Sequence, residues 1–149
     1  MTTKAEVDDF LAGRTWAVVG ASRDPKKFGS AAYRELKKTY RLIPVNPKAE
    51  AVEGDRCYPN LGALPEPVDG VLILVPPSHT EQVVREAHAA GIRRVWMQQQ
   101  TESEAAIRYC QENGIREVHG ECILMHAERT AFYHKMHRWV RGVAGRLPK

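Results

Sequence analysis

The sequence predicts an α/β fold in which a doubly wound, mainly parallel five-stranded sheet carries helices on both faces. Short apolar runs recur along the 149 residues, and segments with helical spacing separate them. The run at 70–75 is the clearest strand, because no polar residue interrupts it, as expected for a central strand covered on both faces. Strands that alternate with helices indicate βαβ units and a parallel sheet. The chain length fits a single domain over 1–149.

The individual elements follow from spacing and punctuation. Thr2 or Thr3 is expected to cap a first short helix that places Val7, Phe10 and Leu11 on one side. Five strands are predicted, at 16–19, 42–45, 70–75, 94–97 and 115–118. Helices are predicted at 31–40, 81–90 and 102–113, with Ser78 or Thr80 as the cap of the second. The proline-rich segment 51–67 is predicted to be an irregular connection with one short helical turn.

Composition narrows the class of protein. Lys and Arg number 22 against 18 for Asp and Glu, and the resulting net charge of +4 favours anionic partners only mildly. Cys57, Cys110 and Cys122 are widely spaced, which predicts neither a disulfide framework nor a zinc site and favours a cytoplasmic protein. The N-terminus is polar where a signal peptide needs an apolar core, and no apolar run reaches membrane-spanning length. We therefore expect no membrane association.

The C-terminal part of the chain has a different pattern. A basic helix is predicted at about 128–143, with Phe132, Met136 and Trp139 on one face, and this face is expected to pack on the sheet. A homo-oligomer or a protein partner that binds through this helix remains open, as does an interaction module with a vestigial nucleotide pocket. No nucleic-acid motif is present, so a nucleic-acid partner is not expected.

The first predicted strand ends in small residues that suit a ligand. In doubly wound sheets, ligands bind beyond the carboxyl ends of the strands, where the strand order reverses. Gly20 permits a tight turn there, Ser22 offers a hydroxyl, and Gly29 allows close approach to the backbone amides at the start of the next helix. The same loop adds three cations, Arg23, Lys26 and Lys27.

The residues after the first two strands select among nucleotide ligands. The dinucleotide fingerprint G-x-G-x-x-G is not met, because it would require glycine where Ser22 and Pro25 stand. The second strand ends in Asn46 and Lys48 rather than in an acidic residue that would bind a ribose 2′-hydroxyl. A lysine there favours an additional phosphate. The pattern argues against NAD and leaves NADP or a 3′-phosphorylated adenosine, which means coenzyme A.

Five motifs in this order resemble one known family. They are Val-Val-Gly-Ala-Ser at 18–22, Ile-Pro-Val-Asn-Pro-Lys at 43–48, Leu-Pro-Glu-Pro-Val-Asp-Gly-Val at 64–71, Val-Trp-Met-Gln at 95–98 and Glu-Cys-Ile at 121–123. The chain resembles the small stand-alone CoA-binding proteins, which are similar to the N-terminal CoA-binding domain of the succinyl-CoA synthetase alpha subunit. The resemblance extends over about residues 15–127.

The resemblance implies a Rossmann-like fold that holds coenzyme A or an acyl-CoA across the strand ends. It implies that the phosphates face Gly20, Ala21 and Ser22, with Arg23 and Lys26 or Lys27 as neighbours. It places the adenosine 3′-phosphate region at Asn46, Pro47 and Lys48, and the candidate site also includes Gly29 and Val45. It places the adenine or pantetheine wall at Val75, Pro76 and Pro77, and the pantetheine arm at Met97, Gln98 and Gln99. This chain departs from the family where Gln-x-Gly is usual, because Gln100 stands in the glycine position.

No catalytic group and no metal site are predicted, so the expected function is binding without catalysis. A nucleophile elbow is absent, and the pairs Cys122 with His126 and His134 with His137 lack a further metal ligand. The alternative is a small NADP-dependent oxidoreductase or a CoA-dependent transferase. Either would need a proton donor near the pocket, for which the candidates are His79, Glu121 and Cys122.

Overall fold

The computed structural model describes residues 2–22, 24 and 26–126. Arg23 and the predicted basic helix at 128–143 lie outside the described residues. In the part of the chain that the structure describes, no helix is long and apolar enough to cross a membrane.

Seven strands form two sheets in the described residues. They are β1 Thr15–Val19, β2 Arg41–Val45, β3 Ala51–Val52, β4 Asp55–Arg56, β5 Gly70–Ile73, β6 Arg94–Gln98 and β7 Arg116–Glu121. The main sheet has the order β2-β1-β5-β6-β7, and all of its pairs are parallel. β3 and β4 form a small antiparallel hairpin. Because the chain runs from β1 out to β2 and then returns to the other side of β1, the strand order reverses between β1 and β5.

Helices cover both faces of the main sheet, which confirms the predicted fold class. Their bounds are α1 Lys4–Leu11, α2 Phe28–Leu36, α3 Pro77–Ala89 and α4 Glu104–Glu112, with a short 3₁₀ turn at Leu61–Ala63. On one face α1 and α2 pack against Trp16, Leu72 and Trp96. On the other face α3 and α4 pack against the alternate strand residues, including Val71 and Met97. Both faces of the sheet are therefore buried, as its uninterrupted apolar strands predicted.

Local sequence signals set the ends of two helices. Thr3 forms a capping box with Glu6 at the start of α1, as predicted for that helix. Ser103 caps α4 by accepting a hydrogen bond from the Ala106 amide. Neither of these helices begins at the point of strand-order reversal.

Two predicted helices differ from the observed ones. α2 begins at Phe28 and ends at Leu36, so Tyr40 lies beyond the helix that was predicted to contain it. α3 begins at Pro77, so neither Ser78 nor Thr80 caps it, and the Thr80 hydroxyl instead donates to the Thr101 carbonyl. Proline tolerates this first helical position because its missing N–H would have no helical partner there.

The connection after β2 contains the hairpin β3–β4, where the sequence predicted an irregular segment. Its turn is made by Glu53 and Gly54, which have positive φ angles of 48° and 83°. The hairpin is fixed to α2, because Glu53 pairs with Arg34 and Asp55 accepts a hydrogen bond from the Tyr33 hydroxyl. Strands of two residues are too short to show an alternating pattern, so only the turn residues signalled this structure.

Candidate functional site

The candidate site begins where the ends of β1 and β5 touch. Gly20 has a φ of +97°, and a Cβ placed on it would lie 2.9 Å from the Leu74 carbonyl carbon and 2.9 Å from the Val75 nitrogen. The Leu74 amide donates to the Val19 carbonyl at 2.8 Å, which holds the two strand ends together. Only glycine fits this position, because any Cβ would meet backbone atoms that cannot move aside.

The start of α2 lies against the same turn. A Cβ on Gly29 would lie 3.1 Å from the Gly20 carbonyl oxygen and 3.4 Å from the Ser22 nitrogen, so glycine lets the helix approach closely. The N-cap residue Lys27 supplies no side-chain hydrogen bond. Among the described residues, no side chain caps the first-turn amides of α2, which lie at the positive end of the helix dipole and suit an anion.

The loop between β1 and α2 is ordered by two short turns. The Asp24 amide donates to Ser22 Oγ at 3.0 Å, and the Lys26 amide donates to Asp24 Oδ1 at 3.0 Å. Ser22 accepts in this contact, so its hydroxyl proton remains available to a ligand. Lys26 and Lys27 are exposed, and neither forms an ion pair with any described residue. Ala21 is fully buried, and its carbonyl is already bonded within the fold.

The end of β2 lies beside this loop. Asn46 Nδ2 donates to the Ala21 carbonyl at 3.1 Å, and Asn46 Oδ1 accepts from the Lys48 amide at 2.8 Å. The Asn46 carboxamide therefore ties the ends of β1 and β2 together and presents the residues that follow it. Pro47 and Lys48 are exposed, and within the described residues Lys48 has no acidic partner. Val45 is buried in the core, so its side chain points away from the crevice.

A cleft of about 450 Å³ lies across the ends of β5 and β6, with Phe28 of α2 in its lining. The structure brings four of the predicted site residues together there, Val75, Pro76, Gln98 and Gln99. Five further lining residues were absent from the predicted site, Phe28, Leu74, Gln100, Thr101 and Cys122. Met97 is fully buried among the α3 and α4 contacts, and Pro77 begins α3 outside the cleft lining. Of the six residues predicted for the wall and the pantetheine arm, four therefore line one cleft, whereas Met97 and Pro77 do not.

Gln98 links the end of β6 to the neighbouring segments through hydrogen bonds. Its side chain is 5% exposed, and Oε1 accepts a hydrogen bond from the Ile123 amide at 2.9 Å. Thr101 Oγ1 donates to the Gln98 carbonyl at 2.7 Å, which closes the loop after β6. Gln98 therefore anchors the helical residues 123–126 beside the cleft.

Gln100 adopts an unusual backbone conformation on the cleft wall. Its φ is +75°, a value that favours glycine. The side chains of Gln99 and Gln100 are exposed, and neither makes a hydrogen bond to a described residue. In the sequence, this position is marked only by Gln100, which stands where the resemblance leads us to expect glycine.

The three candidate proton donors do not converge. Cys122 lines the cleft, whereas Glu121 Oε1 pairs with His126 Nε2 at 2.7 Å in a separate pocket against α1. His79 is exposed in the first turn of α3, outside the cleft lining. Among residues 2–22, 24 and 26–126, no three His, Cys, Asp or Glu side chains form a group that could hold a metal ion.

The other two cysteines lie in the core. Burial raises the pKa of the Cys110 thiol to about 12, and it also raises the pKa of the Cys57 thiol. Both thiols therefore stay protonated at neutral pH and are unsuited to nucleophilic chemistry.

Curated relatives match most of this region. The chain is 35% identical over 91 residues to the acetate–CoA ligase (ADP-forming) II subunit alpha of Pyrococcus furiosus, a match that covers 60% of this chain and 20% of the relative. It is 32% identical over 94 residues to the acetate–CoA ligase (ADP-forming) II of Archaeoglobus fulgidus, covering 61% of this chain and 14% of the relative. The chain thus spans one fifth or less of the length of these two relatives.

Solved structures include small proteins that are matched almost entirely. A conserved hypothetical protein from Pyrococcus furiosus is 37% identical with a TM-score of 0.73, covering 76% of this chain and 98% of that one. Cell-free ID.343 from Thermus thermophilus is 29% identical with a TM-score of 0.76, covering 87% and 98%. The dinucleotide forming acetyl-coenzyme A synthetase 1 of Ca. Korarchaeum cryptofilum, in complex with phosphate and ADP, is 30% identical with a TM-score of 0.62, covering 69% and 25%.

The family assignment rests on a match that extends beyond these pairwise similarities. The model of the CoA binding domain family matches residues 14–128, which include every strand and helix described above except α1. The matched region also contains the crevice between β1 and β5 and the cleft beside β6. The chain belongs to the CoA-binding domain family.

Proposed function

We propose that this chain binds coenzyme A or an acyl-CoA along the carboxyl ends of β2, β1, β5 and β6, without catalysing a reaction of its own. The observation that carries the proposal is the crevice beyond Gly20 at the start of α2. Among the described residues, the helix amides there have no side-chain cap, the Ser22 hydroxyl proton has no acceptor, and Lys26 and Lys27 have no acidic partner. These groups favour a ligand with several anionic oxygens.

The diphosphate of CoA fits the turn between β1 and α2. The amides of the first turn of α2 supply donors, and the close approach at Gly29 leaves them open to the crevice. Ser22 donates its hydroxyl proton, while Lys26 and Lys27 supply charge from the same loop. Arg23 belongs to the same proposed set as a predicted neighbour.

The adenosine 3′-phosphate fits the end of β2. Asn46 uses both ends of its carboxamide to hold this turn against Ala21, and in this way it positions Lys48. Lys48 has no acidic partner among the described residues, so its ammonium group is available to a phosphate. NAD has no phosphate that would reach this lysine.

The pantetheine arm fits the cleft beyond β5. This arm carries two amides and a pair of methyl groups, so it requires both polar and apolar walls. Val75, Pro76 and Phe28 supply the apolar surface, and the unpaired carboxamide of Gln99 supplies hydrogen-bonding groups. The volume of about 450 Å³ is within the range of ligand sites.

The geometry favours binding over the alternative activities. An NADP-dependent oxidoreductase or a CoA-dependent transferase needs a proton donor beside the ligand, and of the three candidates only Cys122 lines the cleft. Glu121 is paired with His126, and His79 lies on the exposed side of α3.

A thermal-shift panel tests the proposed function. CoA and acetyl-CoA are expected to raise the Tm in a concentration-dependent way, because a ligand that binds only the native state stabilises it. NADPH at the same concentrations is expected to give a much smaller shift. A clear response to NADPH together with none to CoA, acetyl-CoA or longer acyl-CoAs would overturn the proposal in favour of the oxidoreductase.

A further inference from the structure

We propose that Gln100 determines which acyl group the site accepts, so that the protein binds free CoA and short acyl thioesters and excludes long aliphatic ones. This inference rests on the proposed function, and it concerns the end of the cleft at β6 and β7. The evidence is the backbone conformation of Gln100, its place along the ligand path and the chemistry of its side chain.

The backbone at Gln100 favours a residue without a side chain. Its φ of +75° lies in the left-handed region, where glycine carries no penalty and glutamine does. The turn is held by the Gln100 amide, which donates to a carboxylate oxygen of Glu102 at 3.1 Å. A disfavoured conformation that keeps a side chain on a ligand-cleft wall points to a use for that side chain.

Gln100 lies at the far end of the proposed ligand path. The path starts at Gly20 on β1 and continues over Val75 and Pro76 after β5. β6 is the next strand in the sheet, and the loop after it contributes Gln99 and Gln100 to the same cleft, with Cys122 from the end of β7. An arm that extends from the phosphates along this path brings its thiol, and any acyl group on it, to Gln100.

The side chain of Gln100 suits exclusion of an aliphatic chain. It lines the part of the cleft where glycine would present no side chain, and its carboxamide makes no hydrogen bond to a described residue. An aliphatic chain in this space would bury that carboxamide without a partner, which is unfavourable. Water or a short polar group satisfies it, so free CoA and acetyl-CoA meet no such penalty.

Binding calorimetry on the full chain tests the inference with matched variants. The ligands are CoA, acetyl-CoA and octanoyl-CoA, and the variants are Gln100→Ala, Gln100→Gly and, as the control, Gln82→Ala. Gln82 is an exposed glutamine of α3 that does not line the cleft. Gln100→Ala removes the carboxamide but keeps the backbone strain, whereas Gln100→Gly removes both.

The wild type is expected to bind octanoyl-CoA at least about ten-fold more weakly than CoA, and both Gln100 variants are expected to reduce that ratio to within about three-fold. Gln82→Ala should behave as the wild type. Equal affinities of the wild type for octanoyl-CoA and CoA, or a ratio unchanged in both Gln100 variants, would overturn the inference and leave the proposed function standing. A folded wild type that binds no CoA would overturn the proposed function and the inference together.

Discussion

At Gly20 two structural requirements coincide, a left-handed φ and a close backbone neighbour. The φ is +97°, and a Cβ would lie 2.9 Å from the backbone after β5. Gly54 in the hairpin provides a natural comparison, because its φ is +83° but nothing lies within 4 Å of its Cβ position. The two glycines therefore separate the conformational effect from the steric one.

Gly20→Ala is expected to lower the free energy of unfolding by about 2–4 kcal/mol, because the left-handed strain and the steric overlap add. Gly54→Ala is expected to cost only about 1 kcal/mol, since only the strain applies. Urea denaturation followed by circular dichroism measures both values. Equal losses in the two variants would show that the β1 and β5 ends are not in close contact.

At the residue scale, the sequence predicted the local roles of Gly20 and Gly29, but it did not predict the hydrogen bonds of the polar side chains at the strand ends. Gly20 and Gly29 stand in turns that require them, as their spacing indicated. Asn46 and Gln98 stay predicted ligand contacts, and their carboxamides also hold Ala21, Lys48 and Ile123 in the fold. A single sequence does not reveal such hydrogen bonds, because their partners are distant in the chain.

At the scale of elements, the hairpin β3–β4 and helix α2 form one unit beside the site. Glu53 accepts hydrogen bonds from Arg34 and from Ser30 in the first two turns of α2, and Lys37 donates to the Glu53 carbonyl. The hydrogen bond from Arg34 is the main cause that lowers the pKa of Glu53. The hairpin thereby holds α2, whose first turn faces the crevice.

This pairing predicts a pH dependence of stability. Because the pKa of Glu53 is lower in the folded than in the unfolded state, its stabilising effect is fully present above the unfolded pKa and is lost as the pH falls through the folded one. Glu53→Gln is expected to lower the Tm at pH 7, and the difference from the wild type should shrink below about pH 4. Differential scanning calorimetry from pH 3 to pH 8 measures it, and a constant difference across that range would contradict the pairing.

The prediction of elements failed where strands were short or where proline began a helix. The hairpin strands have two residues each, which is too few for a periodic pattern. Ser78 or Thr80 was predicted to cap a helix at 81–90, whereas α3 begins earlier, with Pro77 as its first residue. Longer elements with a clear pattern, such as β6, were located within one residue of their observed ends.

At the scale of the whole molecule, the alternation of strands and helices predicted the parallel sheet and its two covered faces. The strand order β2-β1-β5-β6-β7 places the reversal between β1 and β5, where the glycine turn lies. The spacing of residues along the chain does not show which strands lie side by side in the sheet. The sequence therefore did not predict that Phe28, Gln100 and Cys122 share a cleft. Those residues come from three different strand ends or helix starts and meet only in the folded sheet.

The central claim is that a 3′-phosphorylated adenosine lies at Lys48 while the diphosphate lies at the β1–α2 turn. The most direct measurement compares the Kd of CoA with that of 3′-dephospho-CoA, by calorimetry, for the wild type, Lys48→Ala and Lys26→Ala. The account predicts that Lys48→Ala weakens CoA by about ten-fold and leaves 3′-dephospho-CoA nearly unchanged, whereas Lys26→Ala weakens both ligands alike. Equal affinities of the wild type for the two ligands, or an unchanged CoA affinity in Lys48→Ala, would contradict it.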